Sequence, residues 1–386
     1  MEAKKRYRHE ALNICTLGGL GHGKTTLTSA MIKVVSRIGS TPAKTADLES
    51  EQPIHHPISQ GVGISYRSVD YETSGRHYTQ IDGLEYADNV KMLIAGSPKI
   101  WGAIWVVNAA EGVTPDSEAQ IRLASQVHVP TIIAFLNKSE KVRDAELIEI
   151  CEMEMREILT DCGYYEEESP IIVGDALRAL KYKGHNLGSD HWKPIVDLIL
   201  EMNHRMPQPV NLLDLPLILP IREVIDHPKG TSTVRGEIIQ GRLAVGNSVD
   251  VVGKGDRIKT RCVGLKEGDI EVDSEPGWIS PGHVISEPKS IKSRSAFEAT
   301  VYVMTQEECG THIPLVGNDK PHIHIWTIDV TGHIQLPADI ALINPGEHAS
   351  VSISLDVSMA MQVGTRFEIK KMGARIGMGI VTGLLD

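Results

Sequence analysis

A mostly parallel α/β domain followed by two all-β barrels is the fold class predicted for this chain, and three features of the sequence predict it. Strand-like apolar runs alternate with helix-period segments through roughly the first 200 residues, the order in which parallel strands return to one sheet through covering helices. The first strand passes through a Gly-rich turn directly into a helical pattern. After Met206-Pro-Gln-Pro209 the helical period stops, and short strands punctuated by Gly and Pro follow as far as Asp386, the rhythm of closed barrels.

Each element can be justified in turn. Residues 12–17 (LNICTL) form a short apolar run, and KTTLTSAMIKVVSRI carries a helical period immediately after the glycines. Residues 39–63 mix proline, glycine and polar residues without a period, which predicts a long mobile loop of functional character. ISYRSVDYE and RHYTQID, joined by Thr-Ser-Gly, read as a hairpin. The apolar runs GAIWVVN, TIIAFLN and PIIVGD are further strands, separated by helical patterns near 89–97, 117–127, 144–162 and 192–203. The prolines before Val210 mark a stiff linker. Strand runs such as FEATVYVM, HASVSISLDVSMAM and TRFEIKK then divide near Ser290. The expected domains are 1–207, 208–290 and 291–386.

A chain of 386 residues exceeds the usual single-core size, so several cores are expected. Three Phe among 386 residues leave aliphatic packing to dominate them. A net charge of −11 argues against nonspecific coating of nucleic acid, though not against one local basic patch. The five cysteines lack C-x-x-C spacing, which predicts reduced thiols rather than zinc ligands or a disulfide framework. The basic N-terminal segment has no apolar signal core and no run is long enough for a membrane span. The expectation is a cytoplasmic monomer without a membrane partner.

The chemistry concentrates in three loops at strand ends. Gly18-Gly-Leu-Gly-His-Gly-Lys-Thr25 satisfies G-x-x-x-x-G-K-[ST] between a strand and a helix, the context that this motif requires. Amides of Gly19, Gly21, His22, Gly23 and Lys24 can converge on phosphates, Lys24 can reach the outer ones, and the Thr25 hydroxyl can ligate Mg2+, with Gly18 and Thr26 flanking the loop. Asp82 ends HYTQID and is the candidate second magnesium anchor. Asn137-Lys138-Ser-Glu140 follows TIIAFL one carbon away from N-K-x-D, whose aspartate accepts bonds from guanine N1 and the exocyclic amine. Asp175, Ala176 and Leu177 follow PIIVG, where a loop supporting the base is expected. Together these predict a P-loop GTPase domain that binds GTP or GDP with Mg2+.

With these motifs in this order, and with RHYTQID, NVKMLIAG, GAIWVVNAAEG, VPTIIAFLNK, ALRAL and WTIDVTGHIQLP, the chain resembles translation elongation factor Tu over nearly its full length. The resemblance implies a GTPase domain and two β-barrels, with aminoacyl-tRNA, the ribosome and a nucleotide-exchange factor as partners. KEGDIEVDSEPGW in the second barrel is shortened relative to that family. Lys91 matches a family lysine, which implies a contact to tRNA phosphate.

Departures from the family fall on the chemistry. The R-G-I-T-I threonine that holds magnesium is Gly63, and D-C-P-G-H has become Asp82-Gly-Leu-Glu-Tyr86, which replaces a flexible glycine by Glu85 and the water-positioning histidine by Tyr86. Loss of one positioned acid-base group costs about 10² to 10⁴ in rate, so slow hydrolysis is expected, with Tyr86 the remaining candidate at the catalytic position. Gly21 replaces an acidic residue of the family loop, and Asp175 replaces a serine where it can substitute for Glu140 or disturb it. Arg222 and Ile225 replace an acidic and an aromatic residue of the aminoacyl pocket wall. His322 and His324 share a strand face without carboxylate or Cys partners in the sequence and are expected to be surface residues, as are His55 and His56. The alternative expectation is a non-hydrolysing GTP- or GDP-binding regulatory protein that meets another partner through its barrels.

Overall fold

Apolar residues on both faces of a short strand require cover from two sides, and β1 (Leu12–Leu17) receives it at the centre of a seven-stranded sheet. A computed structural model describes residues 11–38, 54–59, 62–95, 99–208, 210–228, 230–266 and 268–385. The chain divides into two compact units, 1–209 and 210–386.

In the first unit the chain runs through α1 (Lys24–Ile38), β2 (Ile54–Ser59), β3 (Val62–Glu72), β4 (His77–Gly83), α2 (Tyr86–Ala95), β5 (Gly102–Asn108), α3 (Pro115–Gln126), β6 (Ile132–Asn137), α4 (Ala145–Asp161), β7 (Ile171–Val173), α5 (Ala176–Lys181) and α6 (Lys193–Arg205). The sheet order is β2-β3-β4-β1-β5-β6-β7, parallel from β4 to β7 and antiparallel where β3 meets β2 and β4. β1 therefore lies between β4 and β5, where the connections diverge, and open sheets place ligands at the carboxyl ends of strands at that point.

Residues 54–59 correct one expectation. They form a strand, pairing from Ile54 with Tyr66 to Ser59 with Val62, rather than the end of a loop. IHHPIS carries no clean alternation, and Pro57 argues against a central strand; the edge position tolerates it because proline has no N–H to donate. Val62 and Gly63, also expected in the loop, open β3, and the rest of it, 39–53 with 60 and 61, lies outside the described residues.

Leu27, Met31 and Val34 of α1, Ile104 and Val106 of β5, Phe135 of β6, and Trp192, Ile195 and Met202 around α6 share one buried core. Full burial of such side chains is worth about 1.5 to 3 kcal/mol each. Trp192 Nε1 also donates to Ala179 O at 2.9 Å, which ties α6 to α5.

In the second unit β8 (Ile218–His227), β9 (Thr231–Gly236), β10 (Ser248–Gly253), β11 (Asp256–Lys266), β12 (Asp269–Asp273) and β13 (Val284–Ser286) close one barrel. β14 (Lys292–Val303), β16 (His322–Ile325), β17 (Ile328–Gln335), β19 (His348–Met361), β20 (Arg366–Lys371) and β21 (Ala374–Leu385) close another, while β15 (Leu315–Val316) and β18 (Leu342–Ile343) pair separately. Each barrel has its own aliphatic interior. Between them Ile218, Val252, Val284, Ile291 and Ala360 form a further buried cluster. Thr327 bridges the two barrels, donating to Ile221 O at 2.7 Å and accepting from Gly282 N at 3.1 Å. All five cysteines are free thiols.

Candidate nucleotide site

The turn after β1 needs its glycines. Gly18, Gly21 and Gly23 have φ of 135°, 78° and 93°, conformations that side-chain-bearing residues rarely adopt. Space is limiting at two of them, since a Cβ would lie 2.2 Å from Val106 O at Gly18 and 2.4 Å from Asn137 Nδ2 at Gly23. His22 is wholly buried beneath Gly19, its Nδ1 3.2 Å from Val106 O and its Nε2 3.6 Å from Glu111 Oε2, beyond hydrogen-bond reach. Burial holds its pKa below the ordinary value, so the neutral ring donates from Nδ1 to the Val106 carbonyl.

Lys24 opens α1, and its ammonium donates to Gly18 O at 3.0 Å and Gly19 O at 3.1 Å, strapping the loop. Desolvation lowers its pKa, with Asp82 opposing the shift. Leu27 N donates to Gly23 O at 2.9 Å, so the loop passes into helical bonding without a break. Thr25 Oγ1 donates to Asp82 Oδ2 at 2.6 Å, while the buried Asp82 Oδ1 has no hydrogen-bond partner. Burial raises the Asp82 pKa, opposed by Thr25, Lys24 and Arg67. An orphaned carboxylate oxygen beside a hydroxyl is a donor set suited to a hard divalent cation, so Thr25 and Asp82 fit the Mg2+ that phosphate-loop proteins employ.

The second and third loops are bonded to the first. Asn137 Nδ2 donates to His22 O at 2.9 Å, and its Oδ1 accepts from Lys138 N and Ala176 N, both at 2.9 Å. Lys138, at φ 60°, reaches back so that Nζ donates to Gly21 O at 2.5 Å. Asp175 caps α5 by accepting from Arg178 N at 2.8 Å, and that bond commits Oδ1 to the helix end. Ala176 is buried and Leu177 exposed. Glu140 is ion-paired with Arg178.

Tyr86 opens α2, partly buried, with its phenol pKa raised by desolvation and by Asp116. It is a neutral hydroxyl at physiological pH. Glu85 beside it is solvent-exposed. Lys91, for which the resemblance implies a tRNA contact, is 8% exposed, with Nζ 3.4 Å from Asp88 Oδ1 and 3.4 Å from Gly63 O. That ammonium fastens α2 to β3, because Asp88 also accepts from Ser65 N at 3.1 Å.

Gln120 escaped the sequence reading. Its Oε1 accepts from Gly18 N at 3.1 Å and from Asn89 Nδ2 at 3.2 Å, coupling the phosphate loop to α2. A glutamine within an amphipathic helix carries no sequence signal of that role. In the last barrel His324 Nδ1 lies 2.7 Å from Asp329 Oδ1, which Lys370 shares at 2.8 Å. The histidine has a carboxylate partner after all, supplied across the β16-β17 hairpin. No cluster of metal-ligating side chains occurs among the described residues. Arg222 is exposed near Glu237, at 3.6 Å, and Ile225 is exposed on the same strand. The side chains of His55 and His56 lie outside the described residues.

A glycine-rich loop at the switch point of an open sheet, strapped by lysine and facing a threonine-aspartate pair, defines a phosphate-loop nucleotide-binding protein. Residues 9–219 match the family described as the Elongation factor Tu GTP binding domain, and residues 290–385 match the Elongation factor Tu C-terminal domain. The first match alone spans more than half of the 386 residues, and the chain belongs to the elongation factor Tu family of translational GTPases.

Proposed function

We propose that the protein binds GTP and GDP with Mg2+, meets aminoacyl-tRNA or the ribosome, and hydrolyses GTP slowly. The observation that carries this reading is a division within one site. Lys24, Thr25, Asp82 and Asn137 keep the bonds that hold phosphate, cation and base loops in place, whereas Gly63 offers no side chain and Tyr86 is a neutral phenol. Thr25 and Asp82 would hold Mg2+, which would supply charge neutralisation at the phosphates. Lys24 adds a fixed positive charge, and the loop amides orient the phosphate chain. A neutral hydroxyl at Tyr86 can hydrogen-bond water but is a poor base near neutrality.

A second reading has its own support. Lys91, although retained, is turned inward, and Arg222 near Glu237 and Ile225 replace an acidic and an aromatic residue, which weakens the tRNA-facing surface. The protein would then be a non-hydrolysing regulatory member acting through its barrels. Both readings place a monomer in the cytoplasm, with an exchange factor needed only if nucleotide is released slowly. Protection of aminoacyl-tRNA from spontaneous deacylation distinguishes them. The first predicts protection with a GTP analogue and much less with GDP; equal, absent protection in both would leave the second.

A further inference from the structure

Glu140 occupies the position from which a carboxylate reads guanine, yet it is already engaged. The turn Ser139–Lys141 that carries it and α5, which carries Arg178, are fixed to each other by Ser139 N to Gly174 O at 3.2 Å and Ala176 N to Asn137 Oδ1 at 2.9 Å. Asp175 caps α5 through Arg178 N, so the helix start is anchored as well. On this frame Arg178 Nη1 pairs with Glu140 Oε1. An aspartate at 140 would be shorter by one C–C bond, about 1.5 Å, and would fall back from the guanidinium.

We infer that Arg178 is a specificity-determining residue of the nucleotide site: by holding one oxygen of Glu140, it takes the 2-amino group out of what the site reads, so guanine and hypoxanthine nucleotides bind alike. The inference rests on the proposed nucleotide-binding function and concerns the base alone. Guanine presents N1–H and the 2-amino group side by side, and a carboxylate satisfies both only by turning two oxygens toward the same edge. The ion pair leaves Oε1 a second lone pair, but it draws that oxygen toward α5 and so away from the edge that Oε2 faces. One acceptor remains for N1–H, which guanine and hypoxanthine share. The arrangement differs from simple loss of the carboxylate, because adenine, lacking N1–H, is still rejected. Arg178 acts through Glu140 and is a positioning residue.

The test is competitive displacement of a fluorescent GDP analogue by GTP, ITP and ATP from the full-length protein with Mg2+. The wild type should bind GTP and ITP within about threefold of each other, with ATP much weaker. A site reading the 2-amino group through a charge-assisted hydrogen bond separates them by about tenfold or more. Arg178→Ala should raise the GTP:ITP ratio toward that value by tightening GTP, Glu140→Asp should do the same with Arg178 in place, and Arg178→Lys should keep the ratio low. A merely structural role for Arg178 would change both affinities together and leave the ratio fixed. A wild-type preference for GTP of about tenfold or more, or a ratio unmoved by both Arg178→Ala and Glu140→Asp, would overturn the inference alone. Failure to bind any of the nucleotides would overturn the proposed function and the inference with it.

Discussion

Asp82 shows how a single residue can oppose stability and serve a site. Burial raises its pKa, so its stabilising contribution is present below the unfolded value near 3.8 and is lost as pH rises through the folded value. At neutral pH the charge is therefore a net burden on the nucleotide-free fold. Asp82→Asn should raise the melting temperature without nucleotide while abolishing the gain in GTP affinity that Mg2+ confers, as read by calorimetric scans and titrations with and without the cation. His22 and His348 carry the opposite sign, since burial lowers both pKa values. Their contribution is complete above the ordinary 6.5 and is lost as pH falls through the folded values. Urea midpoints should drop on acidification below pH 6.5, and His22→Gln with His348→Gln should flatten that slope. Gly23→Ala forces φ of 93° on a Cβ and drives it to 2.4 Å from Asn137 Nδ2. The strain is about 1 to 3 kcal/mol, and nucleotide binding should be lost with it. The need for glycine in the turn between β1 and α1 was legible in the sequence because the motif fixes both spacing and backbone geometry. The partners of Glu140 and Lys91 were not, because Arg178 and Gly63 lie 38 and 28 positions away and meet them only in the folded chain.

The elements of the α/β unit were legible wherever a helical or strand period ran uninterrupted. KTTLTSAMIKVVSRI is helical over its whole length, and LNICTL, GAIWVVN and IIAFLN are strands. β2 was not legible: an edge strand with Pro57 at its centre is set by pairing with β3, a tertiary event, and not by its own pattern. That pairing also sets what the β3 to α2 region can do. Gly63 in β3 presents a carbonyl to Lys91, and Tyr86 opens the helix that Lys91 fastens. Installing Gly63→Thr with Tyr86→His restores a side-chain ligand and an imidazole. Single-turnover GTP hydrolysis should then rise by about 10² or more. An unchanged rate would place the defect elsewhere than in these two residues.

At the scale of the whole molecule, the α/β unit and the paired barrels hold separate cores. The class of architecture was legible because the hydrophobic period changes near Pro207, whereas the closing order of each barrel depends on long-range strand pairing that local pattern does not encode. A nucleotide that binds only the first unit should stabilise that unit against unfolding by about 2.7 kcal/mol at one hundred times Kd while leaving the transition of 210–386 in place, which hydrogen exchange with and without GDP would resolve. Gly282, at φ 92°, where a Cβ would lie 2.4 Å from Ile328 Cδ1, belongs to the second transition, and Gly282→Ala should lower that one alone. The proposed function has the protein bind guanine nucleotide and turn GTP over slowly. The most direct test is Mg2+-dependent binding of fluorescent GTP and GDP followed by single-turnover hydrolysis on the same sample, alone and with ribosomes. Tight binding of both, displaced poorly by ATP, with GTP hydrolysed only slowly under either condition, is the predicted result; rapid ribosome-stimulated hydrolysis, or no binding at all, would contradict it.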